Sequence, residues 1–235
     1  MRSIHWLLLA AGCIAGCAHQ LPLEDSVSNP PFSPERGIVF LFNGLTLSSE
    51  GNAGTGTYSL AQAIRRQGVR AEIDRPTGWR AAAEAVVRDE RMRGAPIAIY
   101  GYSYGAQAAL QFAEWLGGAG IPVQTVFLLE AFRPIPVPCN IHLSVHVYVS
   151  VGLLGQASPI AAEHPGCGEV SNRQVATLTT LTTQVSELNH WTVSRLYDVH
   201  LVALRDLLDA GRVRTRQAAH APGLVPTETH AMISD

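Results

Sequence analysis

The stretch Ile97-Ala98-Ile99-Tyr100-Gly101-Tyr102-Ser103-Tyr104-Gly105-Ala106-Gln107-Ala108-Ala109-Leu110 decides the fold. Its first four residues form a short apolar run of strand length, as expected of a strand covered on both faces. From Gly105 the sequence turns Ala-rich and reads as a helix over 105–116, stopped by Gly117-Gly118. Between the two lies the pattern G-x-S-x-G. At a strand-to-helix junction this spacing sets the serine on a sharp, strained turn, with its hydroxyl projecting from the sheet edge. The glycines two before and two after keep crowding low where the helix crosses close to the strand. The helix also aims its N-terminus at the serine, which favours developing negative charge. Ser103 is therefore the candidate nucleophile.

Outward from this stretch, strands and helices alternate. Residues 37–42 are a continuous apolar run, followed by a Gly- and Ser-rich loop to Gly56. Helical spacing is expected over 57–67, ending at Gly68, and a strand over 69–73. A longer amphipathic helix is expected over 79–93, with Trp79, Ala82, Ala83, Val86 and Val87 as its inner stripe. Further strands are expected at 123–129 and 143–151, and a weaker one at 185–188. Thr192 reads as the N-cap of a last helix to Ala210. The Thr-rich stretch 177–183 fits either element. Such alternation implies an α/β fold: a mostly parallel, doubly wound sheet flanked by helices. It fills one domain over 37–210, followed by a loose polar tail over 211–235.

Composition narrows the function classes. The chain has 235 residues, 47% of them hydrophobic and 15% charged, with a formal net charge of -2. That apolar content and small charge disfavour disorder as the main state. Without a basic excess to displace phosphate counterions, nucleic-acid binding is disfavoured too. All 17 cationic residues are Arg, and Lys is absent. A Schiff base, a phosphate-loop lysine and a Ser-Lys dyad are thereby excluded; GC-rich coding bias accounts for the lack of Lys.

The N-terminus reads as an address. An apolar run from Ile4 to Gly16 follows Arg2, too short to span a bilayer, which needs about 20 residues. It fits a secretory signal over 1–16. Its end, Ile14-Ala15-Gly16-Cys17, resembles the bacterial lipobox, in which the Cys is lipidated and becomes the new N-terminus. The resemblance implies a lipid anchor at Cys17 and a cell-envelope location. With Ala18 next, and a Gram-negative source, it implies the periplasmic face of the outer membrane. Pro22, Pro30, Pro31 and Pro34 mark 17–36 as an extended tether. In an oxidising compartment Cys139 and Cys167 can form one disulfide, or remain two buried thiols.

The elbow Gly101-Tyr102-Ser103-Tyr104-Gly105-Ala106 resembles that of the α/β-hydrolases, particularly the small thioesterase-type members; cutinases carry a similar G-Y-S-x-G. The likeness runs from about Gly37 to Ala210. It implies a triad in the order Ser, acid, His. His190, in Leu188-Asn189-His190-Trp191 ahead of the last helix, takes the place of the general base. His142 and His146 lie four apart, as in a zinc pair on a helix, but their surroundings alternate like a strand, which points to a structural role. Thioesterases often place the acid after the strand next to the elbow, in a segment resembling L-D-x-Y-x-P. Here that segment is Leu129-Glu130-Ala131-Phe132-Arg133-Pro134, with Glu where Asp is usual. Glu130 is the preferred acid; Glu163 or Glu169, later in the chain, is the alternative, and a Glu130-Arg133 ion pair is the structural one. The oxyanion hole would use the backbone N–H of Tyr104 and, from Phe42-Asn43-Gly44-Leu45, that of Leu45, with Gly44 allowing close approach. Asn43 stands where hydrolases often have His.

Such a site attacks an ester or thioester through an acyl-enzyme, and calls for no cofactor and no metal. A small-molecule or lipid substrate is expected. The span from Glu130 to His190 must also hold a strand and the disulfide loop, which leaves little for a lid. A serine acyltransferase shares this chemistry. A catalytically inactive hydrolase fold serving as an envelope scaffold or binding protein is the alternative from a different class.

Overall fold

In the computed structural model, the described residues are 26–45, 56–132, 134–149, 159–175, 193–195 and 202–208. The chain runs β1 (Ile38–Phe42), α1 (Gly56–Arg66), β2 (Arg70–Asp74), α2 (Trp79–Arg88), α3 (Glu90–Arg93), β3 (Ile97–Tyr102), α4 (Tyr104–Gly118), β4 (Val123–Leu129), β5 (Ile141–Tyr148) and β6 (Glu169–Gln174). All six strands are parallel, in the order β2-β1-β3-β4-β5-β6.

Alternate residues of β1 go to opposite layers. Ile38, Phe40 and Phe42 join α2 and α4 in one core, where Phe112 sits 4.8 Å from the Phe40 ring and 5.5 Å from that of Phe42. Val39 and Leu41 join α1 and the helical stretch 202–208 in the other core, with Leu60, Ile64, Ala203 and Leu207. A strand with both faces covered has no use for polar residues, which is why β1 reads as an unbroken apolar run. The edges read differently. β2 is Arg-Ala-Glu-Ile-Asp and β6 is Glu-Val-Ser-Asn-Arg-Gln; each is the outermost strand of the sheet among the described residues, where polar residues are tolerated.

Three expectations need correction. The helix expected over 79–93 is interrupted at Asp89, which is extended (φ -95°, ψ 109°); its carboxylate accepts from Arg91 N–H at 2.9 Å and Met92 N–H at 3.4 Å, starting a new turn. Apolar periodicity cannot register that local competition from an Asp side chain. The strand expected over 143–151 begins at Ile141 and ends at Tyr148. β6 is a strand where none is expected, because its polar residues give no buried-strand signal. The strand at 185–188 and the stretch 177–183 lie outside the described residues.

Residues 26–36, counted with the tether, lie against the domain. Val27 N–H donates to Gln62 Oε1, and Asn29 Oδ1 accepts the outward Ala71 N–H of edge strand β2 at 3.0 Å. Phe32 packs on the core under the Arg91 guanidinium, 5.5 Å from the ring centroid. A disulfide joins Cys139 to Cys167, closing a 28-residue separation. Loop-closure entropy for that length is worth about 3 to 4 kcal/mol.

Candidate active site

The chain passes from β1 outward to β2, then returns across β1 to β3. The strand order therefore reverses between β1 and β3, and the crevice above their C-terminal ends is where parallel α/β sheets bind ligands. Asn43-Gly44 leaves β1 there and Ser103 leaves β3 there.

Ser103 has φ 56° and ψ -118°, the dihedrals of the first central residue of a type II′ turn, a position that favours glycine. It is the N-cap of α4, yet its side chain makes no capping hydrogen bond. Serine at an N-cap ordinarily spends its hydroxyl on the helix; here the turn carries the hydroxyl away from it. The backbone is held on both sides: Ser103 N–H donates to Leu129 O at 2.9 Å, and Ser103 O accepts from Ala106 N–H at 3.0 Å and Phe132 N–H at 3.3 Å.

The two flanking glycines are sterically required. A Cβ on Gly101 would lie 2.6 Å from Ala106 Cα, and one on Gly105 would overlap the carbonyl oxygens of Phe42 and Asn43. These obstacles are backbone atoms in the sheet and helix, which cannot swing aside. Gly105→Ala is therefore expected to cost about 3 kcal/mol, measured as a lowered urea midpoint with an unchanged slope.

Gly44 approaches the same serine. A Cβ there would sit 3.2 Å from the Tyr102 ring and 3.5 Å from Ser103 Cβ. Leu45 follows with its side chain 81% exposed. Asn43 is buried, and its Nδ2 finds no acceptor among the described residues. Tyr104 opens α4 and stacks on Phe132 at 4.9 Å, joining the elbow to the segment that follows β4.

Glu130 leaves the next strand at the same level, since Tyr102 pairs with Leu129. It is 5% exposed and has φ 51°. Its N–H donates to Val147 O at 2.9 Å, and its Oε1 accepts from Val149 N–H. Ser103 and Glu130 are the two non-glycine residues with positive φ among the described residues. The structure thus places Ser103, Tyr104, Gly44 and Glu130 at neighbouring strand ends, with Leu45 next to Gly44 in the chain. His190 and Cys17 lie outside the described residues, as does Arg133, the alternative partner of Glu130.

The alternative acids lie elsewhere. Glu169 pairs with Leu143, Leu143 with Thr125, and Thr125 with Ala98, so it is level with the start of β3. That places it about 16 Å from Ser103 along the strands and about 14 Å across them. Glu163 is half exposed and 3.9 Å from His164 Nε2. His142 and His146 both lie on β5; His142 is exposed and His146 is wholly buried. No group of three or more His, Cys, Asp or Glu is placed to hold a metal among the described residues.

A parallel sheet in this order, with a strained serine elbow after the strand beside the switch point, has a definite identity. This is an α/β-hydrolase fold. No protein-family model matches the sequence, and no curated protein does. Among solved structures, Aspergillus fumigatus lipase B is 14% identical, covering 72% of this chain and 52% of its own, with a TM-score of 0.48. The type II thioesterase BorB of the borrelidin biosynthetic cluster is 11% identical, covering 75% and 95%, with a TM-score of 0.46. A lidless α/β serine hydrolase from Xanthomonas campestris is 15% identical, covering 83% and 88%, with a TM-score of 0.38.

Proposed function

We propose that this chain is a serine hydrolase that cleaves an ester or thioester through an acyl-enzyme intermediate. One observation carries the reading: among the described residues, the non-glycine positive-φ backbone falls at Ser103 and Glu130, on adjacent strand ends hydrogen-bonded to each other. Left-handed backbone at a non-glycine residue costs about 1 to 3 kcal/mol and collects where function requires it. Packing alone would place glycine at both positions.

In this mechanism His190, assigned from its place in the sequence, takes the Ser103 proton as Oγ attacks the substrate carbonyl. The oxyanion is met by the backbone N–H of Tyr104, backed by the α4 N-terminus, and by that of Leu45. The tetrahedral intermediate collapses, and the alcohol or thiol leaves with the proton from His190. Water then repeats the sequence on the acyl-enzyme. Glu130 orients the imidazole and stabilises its charged form.

A fluorophosphonate probe tests the reading. Folded protein should label covalently at Ser103. Folded protein that fails to label would instead fit an inactive scaffold. With an added alcohol acceptor, ester rather than acid as the main product would make the enzyme an acyltransferase.

The proposal extends to location. The signal over 1–16 would direct the chain to the envelope, where lipidation of Cys17 would hold the domain at a membrane facing lipid or cell-wall esters. Metabolic labelling with a palmitate analogue should mark the full-length protein in a Gram-negative host and leave Cys17→Ala unlabelled. Equal labelling of both would remove the anchor from the proposal.

A further inference from the structure

His146 has no place in the chemistry just described, yet it is among the few polar side chains with no exposure at all. Its ring stacks on Tyr148 at 5.1 Å. Its Nε2 lies 3.3 Å from Ala131 N–H, and its Nδ1 lies 3.3 Å from Asn172 Oδ1.

The protonation of this ring can be deduced from Ile160, through its clamp on Asn172. Asn172 Oδ1 accepts from Ile160 N–H at 2.9 Å, while Asn172 Nδ2 donates to Ile160 O at 3.0 Å. This two-point clamp on one residue's backbone fixes which end of the amide is oxygen. The oxygen faces His146 Nδ1, so Nδ1 must carry a proton and donate. A neutral ring has only one N–H, which leaves Nε2 as a bare acceptor for Ala131 N–H. A protonated ring would turn an N–H toward that N–H. Burial accordingly pushes the His146 pKa below the usual imidazole range, against the opposing pull of the Asn172 hydrogen bond and the Glu130 charge.

The Ala131 N–H belongs to the peptide that follows Glu130. Orienting that peptide fixes the exit from a residue already held at φ 51°. One residue further on, Phe132 N–H bonds to Ser103 O. The line of contacts thus runs from Ile160 through Asn172 and His146 to the turn that carries Glu130, and on to the elbow.

We infer that His146, held in its Nδ1–H tautomer by Asn172, is a positioning residue that sets the Glu130 turn for catalysis. The inference rests on the proposed role of Glu130 as the triad acid. It names β6, through Asn172, as a contributor to the site from three strands away, about 14 Å across the sheet from β3.

The test compares His146→Phe, His146→Gln and Glu130→Gln on a short-chain p-nitrophenyl ester. Phe keeps the ring's bulk and its stacking on Tyr148 but offers no acceptor. Gln offers an acceptor oxygen and an NH2 donor, where the neutral ring has one acceptor nitrogen and one N–H. With Glu130 misplaced, the imidazolium of the base is less well stabilised, so its pKa falls. His146→Phe should lower kcat about 10- to 50-fold with KM within about threefold, and should move the acidic limb of kcat/KM to lower pH. His146→Gln should recover most of the lost kcat and return the limb toward its original position. A Phe variant that folds with unchanged kcat and an unmoved limb would overturn the inference, provided that Glu130→Gln is impaired. If Glu130→Gln is itself fully active, it is the assignment of the acid that fails. A Phe variant that loses activity with the limb unmoved would reduce His146 to a packing residue and overturn the inference equally.

Discussion

Ser103→Ala is expected to abolish fluorophosphonate labelling and to lower kcat toward a p-nitrophenyl ester by about 10⁴- to 10⁶-fold, while leaving the folded protein intact. The size follows from the loss of the proposed nucleophile: what would remain is binding and the proposed oxyanion hole with no attacking group. Folding should survive because the Ser103 side chain contributes no cap to α4 and the backbone contacts that hold the turn are untouched. Ser103→Gly separates catalysis from stability more sharply. At φ 56°, ψ -118° glycine bears little strain, so the substitution releases about 1 to 3 kcal/mol. The greater freedom of glycine in the unfolded chain offsets about 0.5 to 1 kcal/mol of that. The expected outcome is an inactive protein that melts a few degrees higher than the parent. Were the Gly variant less stable than the parent, the serine would be packed rather than strained. The argument that function holds it there would then collapse.

The features that the sequence reveals are those decided by neighbours in the chain. β4 is expected at 123–129 and spans Val123–Leu129, because a strand in the middle of the sheet must be apolar on both faces. The elbow is legible because Gly101, Ser103 and Gly105 act within one turn, and each steric conflict involves the strand and helix that flank it or β1 beside them. Glu130 is legible because an acid ending an apolar strand is costly to bury without a purpose. What escapes is set by partners distant in sequence. The connection of His146 with Asn172 spans 26 residues, and it depends on a clamp to Ile160 that no spacing encodes. β6 escapes because the polarity of an edge strand resembles that of a loop. The one available signal was the place of Asn172 within that strand, opposite His146, and it appears only after β5 and β6 are paired in register.

Glu130→Gln carries the second large effect. The substitution nearly preserves shape, and an amide oxygen can still accept the Val149 N–H, so the fold should remain. What changes is charge. In the proposed mechanism a carboxylate beside the His190 imidazole would favour its protonated form, raising the pKa of the base and stabilising the imidazolium formed when Ser103 attacks. Removing the charge should lower kcat/KM by about 10³- to 10⁴-fold at neutral pH. The sign on the pH axis is fixed by the same argument: the base becomes easier to deprotonate, so the acidic limb of the profile moves to lower pH even as the plateau falls. Glu163→Gln and Glu169→Gln should stay within about twofold of the parent at every pH. Glu169 starts β6 at the opposite end of the sheet, and Glu163 is half exposed beside His164. A collapse of activity in either of these, with Glu130→Gln unaffected, would transfer the acid to the later part of the chain. The φ of 51° at Glu130 would then need a structural cause, one able to account for a buried carboxylate in a left-handed turn beside the serine elbow.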